Sequence, residues 1–106
     1  MELVDLRDAL ITIGPPVSHY EAHKQTDNYI VWAEDGEGQS GHADNHKTIQ
    51  VVSGTIDYFT KIEFDPVVGL IQNKLNSIDI AWKLNSVQGP EKGTGYIHYE
   101  WTWEMV

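Results

Sequence analysis

Residues 95–106 read GYIHYEWTWEMV, and this pattern carries the strongest structural signal in the chain. From Ile97 onward, large apolar side chains alternate with polar ones. Because successive side chains of a β-strand point to opposite faces, the apolar residues share one face. These residues are Ile97, Tyr99, Trp101, Trp103 and Met105. The segment therefore predicts a core strand, with at least one tryptophan buried against a helix.

The segment before this strand predicts its antiparallel partner. Ile80, Trp82 and Leu84 alternate with Ala81, Lys83 and Asn85, and the turn-rich residues 89–95 join the two segments. Glycine and proline at such density favour a reversal of the chain. We therefore predict a β-hairpin with a long tip.

Further strands are predicted upstream. Residues 28–33, NYIVWA, are continuously apolar in character, which predicts a strand covered on both faces. Residues 48–62 are rich in β-branched and aromatic side chains and predict a long strand, bent at residues 53–54. One face of that strand would carry Val52, Ile56, Tyr58 and Ile62. A short strand is expected over residues 19–23.

Two amphipathic helices complete the predicted fold. Residues 2–13 place Leu3, Leu6, Leu10 and Ile13 at spacings of three and four, before Gly14-Pro15-Pro16 ends the helix. Asp65-Pro66 supplies a cap and a first-turn proline for a helix that extends to about residue 76. Its buried stripe would be Val68, Ile71 and Leu75. The prediction is one α+β domain over residues 1–106, with a mainly antiparallel sheet of four to five strands flanked by two helices.

Residues 34–47, EDGEGQSGHADNHK, contain three glycines and no large apolar residue. This composition predicts a long loop, and long loops in compact domains tend to be functional or ordered by a partner. We expect the loop to be disordered in an isolated subunit and ordered during assembly. Its candidate partner-binding residues are Glu34, Asp35, Glu37, His42, Asp44, His46 and Lys47.

Charge and composition limit the function. Sixteen acidic against seven basic residues give a formal net charge of −9, which repels a nucleic-acid backbone. The chain has no cysteine, so disulfides, thiolate nucleophiles and cysteine zinc sites are excluded. It also has no apolar run of the roughly 18 residues that a membrane helix needs. The start of the chain lacks the basic region of a signal peptide, so we expect the protein to stay in the cytoplasm where it is made.

The histidines raise the question of a metal site. His19 and His23 stand four apart, as do His42 and His46, with Glu21 and Asp44 between them. Residues four apart on a strand are separated by roughly 13 Å, and the second pair lies in the glycine-rich loop. The spacing of these histidines therefore does not favour a metal-binding site.

No other motif indicates catalysis. Serines such as Ser18 lie near histidines, but no Gly-x-Ser-x-Gly elbow occurs. The paired carboxylates Glu34/Asp35 and Glu100/Glu104 are of a kind usually solvated. Four tryptophans and five tyrosines are more typical of a core or a subunit interface than of a sugar-binding or base-stacking surface. The sequence predicts no catalytic residue, no cofactor and no metal site.

The order of elements resembles a known family. The helix at residues 5–10, the strand at 29–32, the polar loop, the strand at 55–60, the helix at Asp65-Pro66 and the closing hairpin resemble tail completion or tail-terminator proteins of tailed bacteriophages. The likeness covers nearly the whole chain and is greatest to versions from phages and prophages of Gram-positive bacteria. It implies an α+β fold, no catalysis, and a ring, usually of six copies, at the head-proximal end of the tail tube. Such a ring caps the tail tube or joins the tail to the head, and its partners are the tail tube and head-tail connector proteins. The resemblance does not assign any functional residue of that family to a particular position in this chain.

Other functions stay open. A different head-tail joining component is the nearest structural alternative, and a small acidic protein-binding module is an alternative of another class. A metal-dependent hydrolase with a histidine and acid site is less favoured. We expect the phage protein to be a monomer in dilute solution, to assemble in the host bacterial cytoplasm and to end in the virion neck or tail.

Overall fold

A computed structural model describes residues 1–22, 27–37, 42–43, 46–47 and 51–105. The elements in chain order are α1 Leu3–Ile11, β1 Val17–His19, β2 Asn28–Glu37, β3 His42–Ala43, β4 His46–Lys47, β5 Val52–Thr60, α2 Val67–Asn76, β6 Ala81–Gln88 and β7 Ile97–Met105. Five strands form one sheet in the order β1-β2-β5-β7-β6, and β3 pairs with β4 separately. Only the β1–β2 pair of the five-stranded sheet is parallel. The predicted α+β class with a mainly antiparallel sheet is confirmed.

The core lies between the two helices and one face of the sheet. Its buried side chains are Leu6 and Leu10 from α1, Ile71 and Leu75 from α2, and Ile30, Trp32, Ile56, Tyr58, Trp101, Trp103 and Met105 from the sheet. The alternation predicted for β7 is confirmed, and both tryptophans of that strand are buried. Trp101 also donates a hydrogen bond from Nε1 to Gln72 Oε1 on α2, at 3.2 Å.

The two helices begin and end close to the predicted positions. The backbone N–H of Glu2 donates to Asp5 Oδ2 at 2.8 Å at the start of α1. The backbone N–H of Val67 donates to Asp65 Oδ1 at 2.9 Å at the start of α2. Each carboxylate satisfies a backbone donor near the helix start that has no partner within the helix. The capping role predicted for Asp65 is confirmed.

The strand predicted over residues 48–62 differs at its end. β5 stops at Thr60, and Ile62 is 56% exposed instead of facing the core. Phe64 adopts a left-handed φ of 58°, and Asp65 accepts hydrogen bonds from Tyr58 and Thr60. These contacts turn the chain into α2, so residue 62 no longer follows the strand's alternation. Residues 48–50 lie outside the described part of the chain.

The loop predicted over residues 34–47 is wrong at its start, and its last part contains the paired short strands β3 and β4. Glu34, Asp35 and Glu37 belong to β2, which continues opposite residues 52–54 of β5 with a bulge between Glu34 and Gly36. Backbone pairing stabilises this extension although its side chains are polar, so hydrophobic periodicity did not reveal it. The irregularity therefore lies on β2, whereas β5 pairs with β7 without a register shift through residues 53–54, where a bend was predicted. Residues 38–41, 44–45 and 48–50 lie outside the described residues, so the expected disorder remains a prediction.

Three smaller differences concern β1, β2 and β6. The short strand expected over residues 19–23 occupies Val17–His19 instead, while residues 23–26 are outside the described part. Residues 28–33 were predicted to be covered on both faces, but the helices pack on one face of β2 only. On the other face, Tyr29 contacts the rings of Phe59 and Tyr96. Leu84 is 42% exposed, since β6 is the last strand of the sheet.

Within the described residues, no helix has both the length and the apolar character needed to cross a membrane.

Candidate functional site

The face of the sheet away from the helices is called here the open face. Its side chains come from the alternate positions of β2, β5 and β7 that do not enter the core. Near one end, Tyr29, Phe59 and His98 lie opposite one another on these three strands. Ring centroids are 4.7 Å apart for Tyr29 and Phe59 and 4.3 Å apart for Phe59 and His98, and both pairs are stacked. We call these three residues the aromatic ladder.

Residues from the hairpin tip and from the β5–α2 turn cover one end of the ladder. Tyr96 meets Tyr29 edge-on at 5.5 Å, and Lys61 Nζ lies 4.9 Å from the centre of the Tyr96 ring. Tyr29 is therefore only 7% exposed although no described helix covers it. Stacked and edge-on aromatic pairs add about 0.5–1.5 kcal/mol each beyond the area they bury. The ladder thus protects this part of the open face from water.

A carboxylate and a histidine lie next to the ladder. His98 Nε2 is 2.7 Å from Asp57 Oδ1, and the two side chains are only 18% and 19% exposed. Burial raises the pKa of Asp57, although the hydrogen bond and charge of His98 oppose this effect. Glu100 lies directly opposite Asp57 across β5 and β7, and Asn85 Nδ2 donates to Glu100 Oε1 at 2.7 Å.

Asp57 and His98 line an open cleft of about 320 Å³, whereas Glu100 does not line it. The cleft residues are Tyr20, Ala22, Tyr29, Val31, Asp57, Phe59 and His98. A histidine held by a carboxylate is the geometry of an oriented general base. However, these lining residues include no serine, threonine or cysteine. What they offer is aromatic surface beside one carboxylate, which suits the binding of a cation better than nucleophilic catalysis.

A second exposed surface is the outer edge of β6. This strand has eight residues, and within the described sheet it pairs with β7 only. Leu84 and Val87 on this strand are 42% and 52% exposed. The opposite edge of the sheet is β1, which has only three residues. Because an edge strand presents backbone N–H and C=O groups that can pair with another chain, β6 is the stronger candidate for strand addition.

The predicted partner-binding residues separate into two groups. Glu34, Asp35 and Glu37 lie together at the end of β2, where Asp35 accepts a hydrogen bond from Ser53 Oγ at 3.3 Å. The backbones of His42, His46 and Lys47 lie in the β3–β4 pair, which places His46 opposite Ala43 and Lys47 opposite His42. The side chains of these three residues, and Asp44 as a whole, lie outside what the structure describes.

His19 has contacts within the sheet. Its Nε2 lies 2.6 Å from Glu34 Oε1, and its ring stacks on Trp32 at 4.1 Å. Burial tends to raise the pKa of Glu34, but hydrogen bonds from its own backbone, His19 and Tyr20 lower it overall. His23, the predicted companion of His19, lies outside the described residues. In the part of the chain that the structure covers, no three histidine or carboxylate side chains are grouped as metal ligands would be.

Sequence reasoning missed the cleft. Tyr29, Asp57 and His98 come from three segments far apart in the chain, and they meet because of the strand register. One sequence signal could have pointed to it. Asp57 on β5 and His98 on β7 occupy polar positions of these strands, and each is next to an aromatic residue. That signal identifies no site until the strands are paired. No model of a known protein family matches the chain, and no curated protein is similar to it at a significant level.

Proposed function

We propose that this protein is a non-enzymatic structural component of a bacteriophage tail or neck that assembles as a ring. Its partners would be further copies of itself, the tail tube and head-tail connector proteins. The ring would contain six copies, as is usual in the family that the chain resembles. Assembly would take place in the host bacterial cytoplasm, and the finished ring would stay in the virion. The observation that carries this proposal is the long exposed edge of β6, together with the resemblance in the order of elements.

The charges near β6 favour a head-to-tail contact between copies. Lys83 is the only charged residue of β6, whereas the far end of β2 carries Glu34, Asp35 and Glu37. Two β6 edges that met each other would bring like charges together, but β6 against the acidic end of β2 joins opposite charges. Contacts between two different surfaces of the same chain form rings when the rotation closes. A ring therefore fits these surfaces better than a symmetric dimer.

A pair of matched double variants tests the β6 contact. Leu84→Lys with Val87→Lys places two charges on the proposed interface. Leu70→Lys with Val4→Lys makes the same chemical changes on the two helices, where the wild-type side chains are 50% and 45% exposed. Because lysine on an edge strand opposes strand addition, we expect only the β6 variant to lose ring formation, as measured by sedimentation velocity and electron microscopy.

The same variants test the biological role. Deletion of the gene from the phage or prophage that carries it should leave filled heads and tails that are not joined. The wild-type protein and the helix variant should restore complete particles, whereas the β6 variant should not. Complete particles in the absence of the protein would contradict the tail function, and rings formed by the β6 variant would contradict the proposed interface.

A small acidic protein-binding module is the second candidate function, because the cleft on the open face could receive a cationic group. A binding module would stay monomeric at every concentration and salt level and would bind a single partner through one face. Formation of rings as the protein concentration rises would show that the protein is not solely a binding module.

A further inference from the structure

We propose that Phe64 of one copy inserts into a depression on the open face of a second copy. The depression, called here the end pocket, is bordered by Asp35, Lys83 and Glu104, at the end of the sheet far from Phe64. This contact joins copies end to end along the strands. It is separate from the side-by-side contact of the β6 edge proposed above and does not rest on it.

Phe64 is exposed in an unfavourable backbone conformation. It lies in the turn between β5 and α2 with 89% of its surface exposed, and its φ of 58° is in the left-handed region. That region is costly for a bulky side chain, whereas glycine adopts it freely. Within the described residues, the Phe64 ring neither belongs to the core nor stacks on another ring. Because the fold gains so little from this ring, the strained position points to a role in binding.

The turn that carries Phe64 is held firmly. The next residue, Asp65, is buried, and its carboxylate accepts hydrogen bonds from Tyr58 and Thr60 on β5 and from the backbone of Val67 at the start of α2. The ring is therefore presented on a backbone that has little freedom left to lose on binding. Rigidly held aromatic side chains are typical of the residues that contribute most to binding energy at protein interfaces.

The end pocket has room for an aromatic ring. Its volume is about 360 Å³, and it lies over the paired ends of β6 and β7. Ala81 lies opposite Glu104, and Lys83 lies opposite Thr102, at the strand positions that alternate with the core residue Trp103. The short side chain of Ala81 therefore leaves space between the longer side chains of Lys83 and Glu104. A volume above about 300 Å³ is within the range of pockets that bind small ligands.

Phe64 and the end pocket lie too far apart to meet within one copy. Gly54 lines the pocket, and β5 ends at Thr60, six positions further on. Six residues of a strand span about 20 Å, and the turn that carries Phe64 follows that end. A projecting apolar side chain and a pocket elsewhere on the same molecule make a head-to-tail contact between copies.

The charges around the two surfaces permit this contact. Lys61 and Glu63 leave the exposed part of the turn without net charge, so it avoids much of the repulsion that a net charge of −9 causes between copies. Lys61 would approach a pocket border that carries two carboxylates, Asp35 and Glu104, and one ammonium group. A second copy therefore supplies both the ring and a cation for this border.

Two variants that each lack one half of the contact test the proposal. Both also carry Leu84→Lys and Val87→Lys, which remove the β6 contact. Phe64→Gly removes the ring and introduces a residue that suits a φ of 58°, so its urea denaturation midpoint should not fall. Ala81→Trp fills the end pocket from an exposed position of β6. Neither variant should associate with itself.

A mixture of the two variants should restore the contact. ¹⁵N-labelled Phe64→Gly protein, which keeps the pocket, is titrated with unlabelled Ala81→Trp protein, which keeps the ring. The ionic strength is about 1 M, where a Debye length of about 3 Å limits the repulsion between copies. We expect saturable amide shifts at pocket residues such as Thr102 and Glu104. An unlabelled protein that carries both substitutions should cause no shifts.

Matched controls use substitutions of the same kind at other exposed sites. Gln88→Trp places a tryptophan at the other end of β6, and Ile11→Ala removes an exposed apolar side chain from α1. Both are made with Leu84→Lys and Val87→Lys, and sedimentation velocity compares their self-association. Phe64→Gly and Ala81→Trp should each lower the association constant at least about tenfold, whereas the two controls should change it by less than about twofold.

Three results would overturn the proposal: no shifts in the mixture, equal shifts with the protein that carries both substitutions, or shifts at the aromatic ladder instead of the end pocket. A lower urea midpoint for Phe64→Gly would also refute it, because the ring would then support the fold. Every protein in these experiments lacks the β6 contact. The end-to-end contact can therefore be present whether or not the wild-type protein forms rings, so the two proposals fail separately.

Discussion

At the scale of single residues, the buried carboxylate of Asp65 accepts three hydrogen bonds. Its Oδ2 accepts hydrogen bonds from Tyr58 Oη at 2.6 Å and Thr60 Oγ1 at 2.7 Å, and its Oδ1 accepts from the backbone of Val67. Burial alone would raise the pKa of Asp65, but these three donors outweigh it and lower the pKa. Burial and the contact with Asp65 raise the pKa of Tyr58 to about 12. One carboxylate thus joins the end of β5 to the start of α2.

We expect Asp65→Asn to lower the free energy of unfolding at pH 7 by about 1.5–3 kcal/mol, the value of hydrogen bonds to a charged group. Because the pKa of Asp65 is lowered in the folded state, its contribution is present above the unfolded pKa of about 3.9 and is lost as the pH falls through the folded value. The difference between variant and wild type in urea denaturation should therefore shrink below about pH 4. Asp79→Asn, at an exposed site, serves as the control and should change stability by less than about 0.5 kcal/mol. A difference that stays constant down to pH 2 would show that the charge has no role.

At the scale of elements, the close approach of β2, β5 and β7 depends on Gly54. A Cβ added to this residue would collide with the carbonyl oxygen of Ala33 on β2 and with the indole of Trp103 on β7. Both neighbours are fixed, the first because it is backbone and the second because Trp103 is only 1% exposed. Gly69, in contrast, lies on α2 with no atom within 4 Å of an added Cβ.

Substitution of these two glycines by alanine should have opposite effects. Gly54→Ala should destabilise the fold by about 1–3 kcal/mol or more, because the strands must separate to admit the methyl group. Gly69→Ala should stabilise it by about 0.5–1 kcal/mol, because alanine loses less backbone entropy in a helix. Urea denaturation midpoints of the two variants measure the contrast. A stable Gly54→Ala protein would mean that the strands do not pack as closely as described.

At the scale of the whole molecule, charge should control assembly. Net repulsion between copies acts at long range and is screened by salt, with a Debye length of about 10 Å at 0.1 M. The protein should therefore be monomeric when dilute at low salt, and the ring fraction should rise with concentration and ionic strength. Sedimentation velocity across a salt series measures this directly.

Two charge-matched variants separate the general repulsion from the specific contact. Asp35→Asn with Glu37→Gln removes two charges from the proposed interface and should weaken assembly. Glu63→Gln with Asp79→Asn removes two exposed charges elsewhere and should leave assembly unchanged or strengthen it. If both variants behave alike, the acidic end of β2 has no specific role, although the repulsion argument would stand.

Local sequence patterns were enough to predict α1, α2 and β7. Apolar residues three and four apart predicted α1 and α2, and alternation of apolar and polar residues predicted β7 with its buried Trp101 and Trp103. These predictions succeeded because the period of a helix or strand determines which side chains share the buried face. Asp65-Pro66 marked the start of α2 through backbone chemistry that needs no distant partner.

Strand pairing and register, in contrast, are evident only in the folded chain. Pairing extended β2 through the polar residues 34–37, since backbone hydrogen bonds do not depend on side-chain polarity. Register brought Tyr29, Phe59 and His98 into one ladder beside Asp57, although they are separated by as many as 69 positions in the chain. Strand order left Leu84 and Val87 at an exposed edge. Both candidate surfaces depend on contacts between distant segments, and hydrophobic periodicity carries information only about neighbours along the chain.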